Sequence, residues 1–280
     1  MIGPTRNDQP GELLEILSPN PRLYVLSRPV FDQEELERFC DDEYIDWRRT
    51  PGATAAEDIV EFSGRICYMS FGEMQSPKSN RQYIQNLIKQ RHESVLEHVS
   101  WSFLLTGVSR AFTHQLVRHR VGFSFSQLSQ QYHDETGAKF VMPEEVRDNP
   151  VAAALWLRLI EELRGGYQSV ADNLDPRSET WPSLDKESRR AIRSAARSIL
   201  PNATETKIVF SANARAIRHF LDVRGAIIGD LEMRRVSALL YSRLHIEAPQ
   251  LLSDFKMTLH EDGYPIVASI SGVSETVETY

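Results

Sequence analysis

Two periods of apolar residues run through the chain, one helical and one of strand type. In NRQYIQNLIKQRH, Tyr83, Leu87 and Ile88 recur at helical spacing, which predicts a helix capped by Ser79 or Asn80. VSWSFLLTGVS (99–109) alternates before turning wholly apolar and is rich in strand formers, so a strand closing at Gly107 is expected. Ser109 then caps RAFTHQLVRHR, a predicted helix whose buried stripe is Phe112 and Leu116, with or without Val117. Arg118, His119 and Arg120 fall in its last turn, where the helix dipole favours cations, and Gly122 is a natural stop. Residues 150–172 and 185–200 read as two further helices, the second ended by Pro201. TKIVFSA (206–212) reads as a strand, followed by the helices ARAIRHFLDVR and DLEMRRVSALLYSRLHIEA. After Pro265 the tail has little pattern. Residues 1–58 mix proline, glycine and acidic runs with a short strand at 23–26, and are expected to form an N-terminal extension packing on a main domain of residues 59–280.

Composition narrows the classes. A chain of 280 residues holds one large α/β domain or two small ones, and its 41% hydrophobic and 25% charged residues are those of a folded protein. A net charge of -7 argues against a broad affinity for nucleic acid or anionic membrane, so any phosphate site must be local. Cys40 and Cys67 are too few for a disulfide framework or a four-cysteine zinc site, which points to a reducing compartment. The N-terminus lacks the pattern of a secretory signal and no window is a membrane span, so the expected location is cytoplasmic.

Four clusters carry candidate chemistry. In KESRRAIRSAARSIL, Ile192, Ala195, Ala196 and Ile199 form an apolar face, while Arg193 and Arg197 stand at a like-charge i,i+4 spacing that costs roughly 0.2–0.5 kcal/mol. Either a bound anion offsets it, or Asp185, Glu187 or a neighbouring helix supplies carboxylates. SANARAIRHFLDVR places Arg215, Arg218 and Arg224 around Ile217, Phe220, Leu221 and Val223; arginine suits bidentate recognition of a phosphate or a pyrimidine carbonyl edge, although Arg218 reads as part of a solvated face. RHESVLEH (91–98) lacks the H-E-x-x-H zinc spacing, so His92 and His98 are read as structural hydrogen-bonders and no metal is expected. VRHRVGFSFSQLSQQYHD combines Arg118 and Arg120 with Ser124, Ser126, Gln127, Ser129, Gln130 and Gln131, donors that could line a polar ligand one turn after Gln115.

RHRVGFSFSQLSQQY closely resembles the signature of the flavin-dependent thymidylate synthases, in which R-H-R is followed after a short loop by a serine. GRICYMSF, RHESVLEH, ILPNATET, NARAIRHFLDVR and DLEMRR resemble that family's successive landmarks in order, over roughly residues 58 to 260. The resemblance implies an α/β (α+β) subunit, a mixed sheet with long helices, assembled as a homotetramer with sites between subunits. It implies transfer of a one-carbon unit from methylenetetrahydrofolate to C5 of a uridylate, with FAD reduced by NADPH delivering hydride. Such chemistry removes the need for an attacking thiolate, and neither cysteine lies in an activating environment.

Carried over by resemblance, Ser94, Glu97, Arg118, His119, Arg120, Asn213 and Arg215 contact the flavin. Gln115, Arg118, Gln127, Leu128, Ser129, Gln130, Gln131, Arg197 and Arg224 hold the nucleotide, with Arg224, Ser129 and His119 as the catalytic set. Arg197 offers charge to a phosphate, Arg224 stabilises charge developing on the pyrimidine carbonyl, and Ser129 orients substrate. Three departures stand out. The loop before Ser129 is one residue longer than the family's, the extra residue being Val121 or Gly122, and a glycine can absorb it. Gln131 replaces a usual arginine, and Ile228 a usual histidine. The expectation is an enzyme acting on dUMP, UMP or both, with a UMP-specialised member, as in nucleoside-antibiotic pathways, or an inactive nucleotide-binding homologue as alternatives.

Overall fold

The computed structural model describes residues 15–17, 20–174 and 185–270. In chain order the elements are β1 (Ile16–Leu17), β2 (Arg22–Ser27), α1 (Gln33–Asp42), α2 (Ala55–Ile66), α3 (Asn80–Lys89), β3 (Ser100–Ser109), α4 (Arg110–Leu116) and β4 (Phe123–Gln127). Then follow β5 (Phe140–Val141), α5 (Glu144–Arg147), α6 (Pro150–Leu174), α7 (Lys186–Ala196), β6 (Glu205–Asn213), α8 (Ala214–Arg224), α9 (Leu231–Glu247), β7 (Phe255–Leu259) and β8 (Pro265–Ser269). Helix and sheet are mixed, as expected.

The chain folds as two compact units. The first takes the chain up to Asn20, with Gly107–Thr113 and Gln127–Lys207; the second takes Pro21–Thr106, His114–Ser126 and the chain from Ile208 onward. The expected extension of residues 1–58 is thus divided between them, while its first fourteen residues, with the signal-peptide reading made on them, lie outside the described residues. Its strand is part of the main sheet, of order β2-β3-β6-β4, with β2 antiparallel to β3.

In the second unit, strand periodicity places Trp101, Phe103 and Leu105 on one buried face of β3, where Phe103 meets Phe210 of β6 at 5.2 Å between ring centroids. Helix α8 lays Ile217, Phe220 and Leu221 inward, but Val223 is exposed rather than part of that stripe. Arg218, expected on a solvated face, is buried: its guanidinium donates to both Asp254 carboxylate oxygens at 2.6 and 2.8 Å and to the Leu251 carbonyl. An apolar site leaves no water to satisfy a guanidinium, so its partners must come from the protein. The tail judged patternless contains β8, which pairs with β7 and whose Val267 N–H donates to the Gly225 carbonyl at 2.9 Å; residues 271–280 lie outside the described residues.

In the first unit, Tyr167 and Ala171 of α6 pack on Ile192 and Ala196 of α7. Ala195 is exposed, contrary to the expected stripe. Asp185 caps α7 and Glu187 pairs with Arg190, so neither offsets Arg193; that guanidinium meets Asp134 at 3.8 Å and the Tyr132 carbonyl at 2.9 Å. No described helix is long and apolar enough to cross a membrane.

Candidate active site

Within the second unit the R-H-R segment is not the last turn of a helix. Helix α4 ends at Leu116, and the N–H groups of Arg118 and His119 make tight turns back to the carbonyls of Gln115 and Leu116. The chain then turns through Gly122 at φ +72 and enters β4. FSFSQ, expected as a polar loop, is this strand: its serines are exposed and its phenylalanines half-buried, stacked at 5.6 Å.

Gly122, one of the two positions proposed from the sequence for an extra residue, takes the left-handed conformation that a glycine adopts freely. Val121 beside it is exposed, and the Gly122 carbonyl accepts the Asn213 N–H at 3.1 Å. A Cβ on Gly122 would lie 2.7 Å from Asn213 Nδ2 and 2.8 Å from Ala216 Cβ. Asn213 is itself the cap of α8, its Oδ1 accepting the Ala216 N–H at 2.8 Å. Gly122→Ala is therefore expected to lower stability by about 2 kcal/mol, from a left-handed backbone and overpacking together. A urea midpoint equal to that of the wild type would refute this.

From this capped start Arg215 reaches Glu97 at 2.5 Å and Glu93 at 3.6 Å. Asn213, Arg215 and Glu97, with His219, line a cavity of about 690 Å³. Ser94 lines an adjoining cavity of about 320 Å³ that shares Arg91, Glu93 and Arg215 with the first. Arg118 and Arg120 are exposed.

His119 turns inward. Its ring meets Phe220 edge-on at 5.2 Å, and its Nε2 accepts the Nε–H of Arg224 at 3.2 Å. Burial, then the Arg224 charge and His219, push its pKa below the ordinary value. The imidazole is thus held neutral, with its proton on Nδ1. Gln115 donates to Asp230 at 2.8 Å, and Asp230 caps α9. Ile228 is exposed in the turn that follows α8.

The remaining predicted residues belong to the first unit. Gln127 donates to Thr113 and Thr206 at 3.0 and 3.3 Å, and the Leu128 N–H donates to the Lys207 carbonyl. Ser129 opens a turn: its Oγ accepts the Gln131 N–H, and its carbonyl accepts from Tyr132 and His133. Gln130 is buried with no hydrogen-bond partner for its Nε2. Gln131 donates to Ser194 of α7 at 3.3 Å. Arg197 is half-buried, and its charge acts on Arg110, whose pKa is lowered by burial, favoured upward by Glu135 and lowered again by Arg197. Burial likewise raises the pKa of Glu135.

Sequence reasoning missed Arg110, Glu135 and Asp230. Arg110 had a signal: a cation at the start of a helix opposes the dipole, so it calls for some other partner. Here Arg110 donates to the Leu128 carbonyl at 3.4 Å.

His119, bonded to Arg224, lies in a unit of mixed helix and sheet that also holds a cavity of about 690 Å³, a usual volume for a ligand site. Residues 52–250 match the family described as thymidylate synthase complementing protein. The flavin-dependent thymidylate synthase of Mycolicibacterium gilvum (strain PYR-GCK) is 40% identical over 227 residues, 80% of this chain and 89% of the relative. That of Corynebacterium diphtheriae is 37% identical over 238 residues, 84% and 91% of the two chains. The chain belongs to the flavin-dependent thymidylate synthase family. Its fold resembles the crystal structure of the UMP/dUMP methylase PolB from Streptomyces cacaoi bound with 5-Br dUMP, with a TM-score of 0.61, 19% identity, and 86% and 96% of the two chains covered.

Proposed function

We propose that this protein is a flavin-dependent enzyme that methylates C5 of a uridine monophosphate, dUMP or UMP, with methylenetetrahydrofolate as one-carbon donor and NADPH as the source of electrons. The His119–Arg224 pair carries the reading, because it sets a fixed guanidinium beside a neutral ring in a chain of this family.

The residues present fit a flavin. Asn213, Arg215 and His219 present polar groups to a cavity of about 690 Å³. Ser94, Glu97, Arg118, His119, Arg120, Asn213 and Arg215 would hold FAD, which when bound supplies the hydride that completes the methyl group. Arg224 commits its Nε–H to His119, which leaves its two terminal nitrogens for the pyrimidine carbonyl oxygen, where charge develops as C5 becomes nucleophilic. Arg197 meets the phosphate, and among the described residues it has no ion-pair partner. Gln115, Arg118 and the run Gln127, Leu128, Ser129, Gln130 and Gln131 complete the nucleotide site, with Ser129 orienting substrate.

The proposal extends to a homotetramer with sites built from more than one subunit. Val151, Leu155 and Leu159, exposed at four-residue spacing along α6, offer an apolar stripe for such contacts. Residues 59–280 would be the catalytic part, acting in the cytoplasm.

UMP is kept beside dUMP because the neutral Gln131, turned to Ser194, takes a charge away from the nucleotide side. Incubation with FAD, NADPH, methylenetetrahydrofolate and either nucleotide should give a product heavier by a methyl group. No such product from either nucleotide refutes the reading, and protein that stays colourless after addition of FAD would favour a binding homologue instead.

A further inference from the structure

Arg91 occupies a backbone position made for glycine. It follows the cap of α3, Gln90, at φ +58, with its N–H donating to the Ile88 carbonyl at 3.0 Å and the His92 N–H donating to the Leu87 carbonyl at 2.9 Å. That pair of bonds is a Schellman closure, in which the left-handed residue is usually glycine because a Cβ is unfavourable there. A cation after a helix complements the dipole, but Lys89 in the last turn already serves that purpose. The side chain of Arg91 therefore needs a use that glycine could not serve.

Its placement supplies one. Arg91 lines both the cavity of about 690 Å³ and the adjoining one of about 320 Å³. Arg215, the other cation common to both, is neutralised by Glu97 at 2.5 Å and Glu93 at 3.6 Å. Arg91 is exposed and pairs with no carboxylate among the described residues. The smaller cavity adds Tyr68 and His92, two flat rings, with Leu87 and Val95 as apolar wall and Ser94 as a hydroxyl. A volume at the lower end of ligand sites suits one heteroaromatic ring system with its anionic substituent.

We propose that Arg91 is an anion-binding residue at the junction of the two cavities, holding a phosphate or carboxylate of a ligand whose ring system occupies the smaller one. The inference rests on the proposed function for its two candidate sources: a phosphate of NADPH, or a glutamate carboxylate of methylenetetrahydrofolate. A guanidinium suits either group through paired N–H donors.

The test compares the full-length wild type with Arg91→Gly and Arg91→Lys, titrating each by calorimetry with NADPH and, separately, with methylenetetrahydrofolate. Arg91→Gly should bind one of the two at least tenfold more weakly while melting at the same or a higher temperature, because glycine is at home in that turn. Arg91→Lys should recover part of the affinity. Whichever ligand loses affinity identifies the source. Dissociation constants within twofold of the wild type for both ligands overturn the proposal, as does binding of neither by the wild type. A fall in melting temperature for Arg91→Gly also overturns it, because the side chain would then be structural. These titrations need no turnover, so a protein that methylates neither nucleotide yet loses affinity in Arg91→Gly keeps the anion site and loses only the assigned reaction.

Discussion

Replacing Arg224 by alanine is expected to slow methyl transfer by roughly 10²–10³-fold, the loss typical of one fixed donor aimed at developing charge. Most of that loss should appear in kcat, because a donor directed at charge that develops during the reaction acts chiefly in the transition state. Arg224→Lys should recover little: one ammonium has no planar fork with which to serve the ring nitrogen and a carbonyl oxygen together. His119 adds a pH dependence of definite sign. Its folded-state pKa lies below the ordinary 6.5, with burial the main cause and Arg224 and His219 adding to it. The stability tied to neutral His119 is therefore fully present above about pH 6.5 and is lost as the pH falls through the folded-state value. Protonated, the ring can no longer accept from Arg224, so turnover should fall along the same acid limb. A single-turnover pH profile checks this, and Arg224→Ala activity within threefold of the wild type would remove the role altogether.

Glu61→Ala should cost about 3–5 kcal/mol of folding stability, the usual consequence of stranding one member of a buried ion pair. Glu61 and Arg65 are both fully buried on α2, bonded at 2.7 Å. Glu61 also accepts from Asn80 at 2.8 Å. Arg65 donates to the carbonyls of Ser70 and Pro77, and its guanidinium lies 4.3 Å from the Tyr83 ring centre. Removal of the carboxylate leaves that guanidinium without a counter-charge where water cannot reach it. Glu61→Gln keeps an acceptor and should cost less than Glu61→Ala. Urea unfolding of both variants tests the order, and equal midpoints for Glu61→Ala and the wild type would contradict it.

Periodicity was informative wherever one face of an element is buried. The strand at 99–109, the Ser79 cap of α3 and the start of α8 at Asn213 are local: they depend on alternation, a hydroxyl or an amide next to the backbone it serves. The last turn of RAFTHQLVRHR departs from the helical expectation because nothing within those residues tells a helix from two tight turns. Past the end of α4 the chain turns through Gly122, whose carbonyl accepts the Asn213 N–H, a partner some ninety residues away. FSFSQ carried a strand alternation obscured by its serines, which suggested a ligand-lining loop. The burial of Arg218 is not legible for a similar reason, since an arginine on an amphipathic helix is normally solvated and its partner Asp254 is remote in sequence.

Residue types and local spacing thus determined by themselves the mixture of helix and strand, the helices α3, α4, α6, α7, α8 and α9, and the strands β2, β3 and β6. These follow from short-range sterics, capping and the burial of one face. Only the tertiary structure decided which charges meet. It joined His119 to Arg224, neutralised Arg215 with Glu93 and Glu97, turned Gln131 to Ser194 and left Arg91 facing two cavities. Such pairings depend on distances between segments far apart in the chain and on the exclusion of water around them, and neither is encoded in any short stretch of residues.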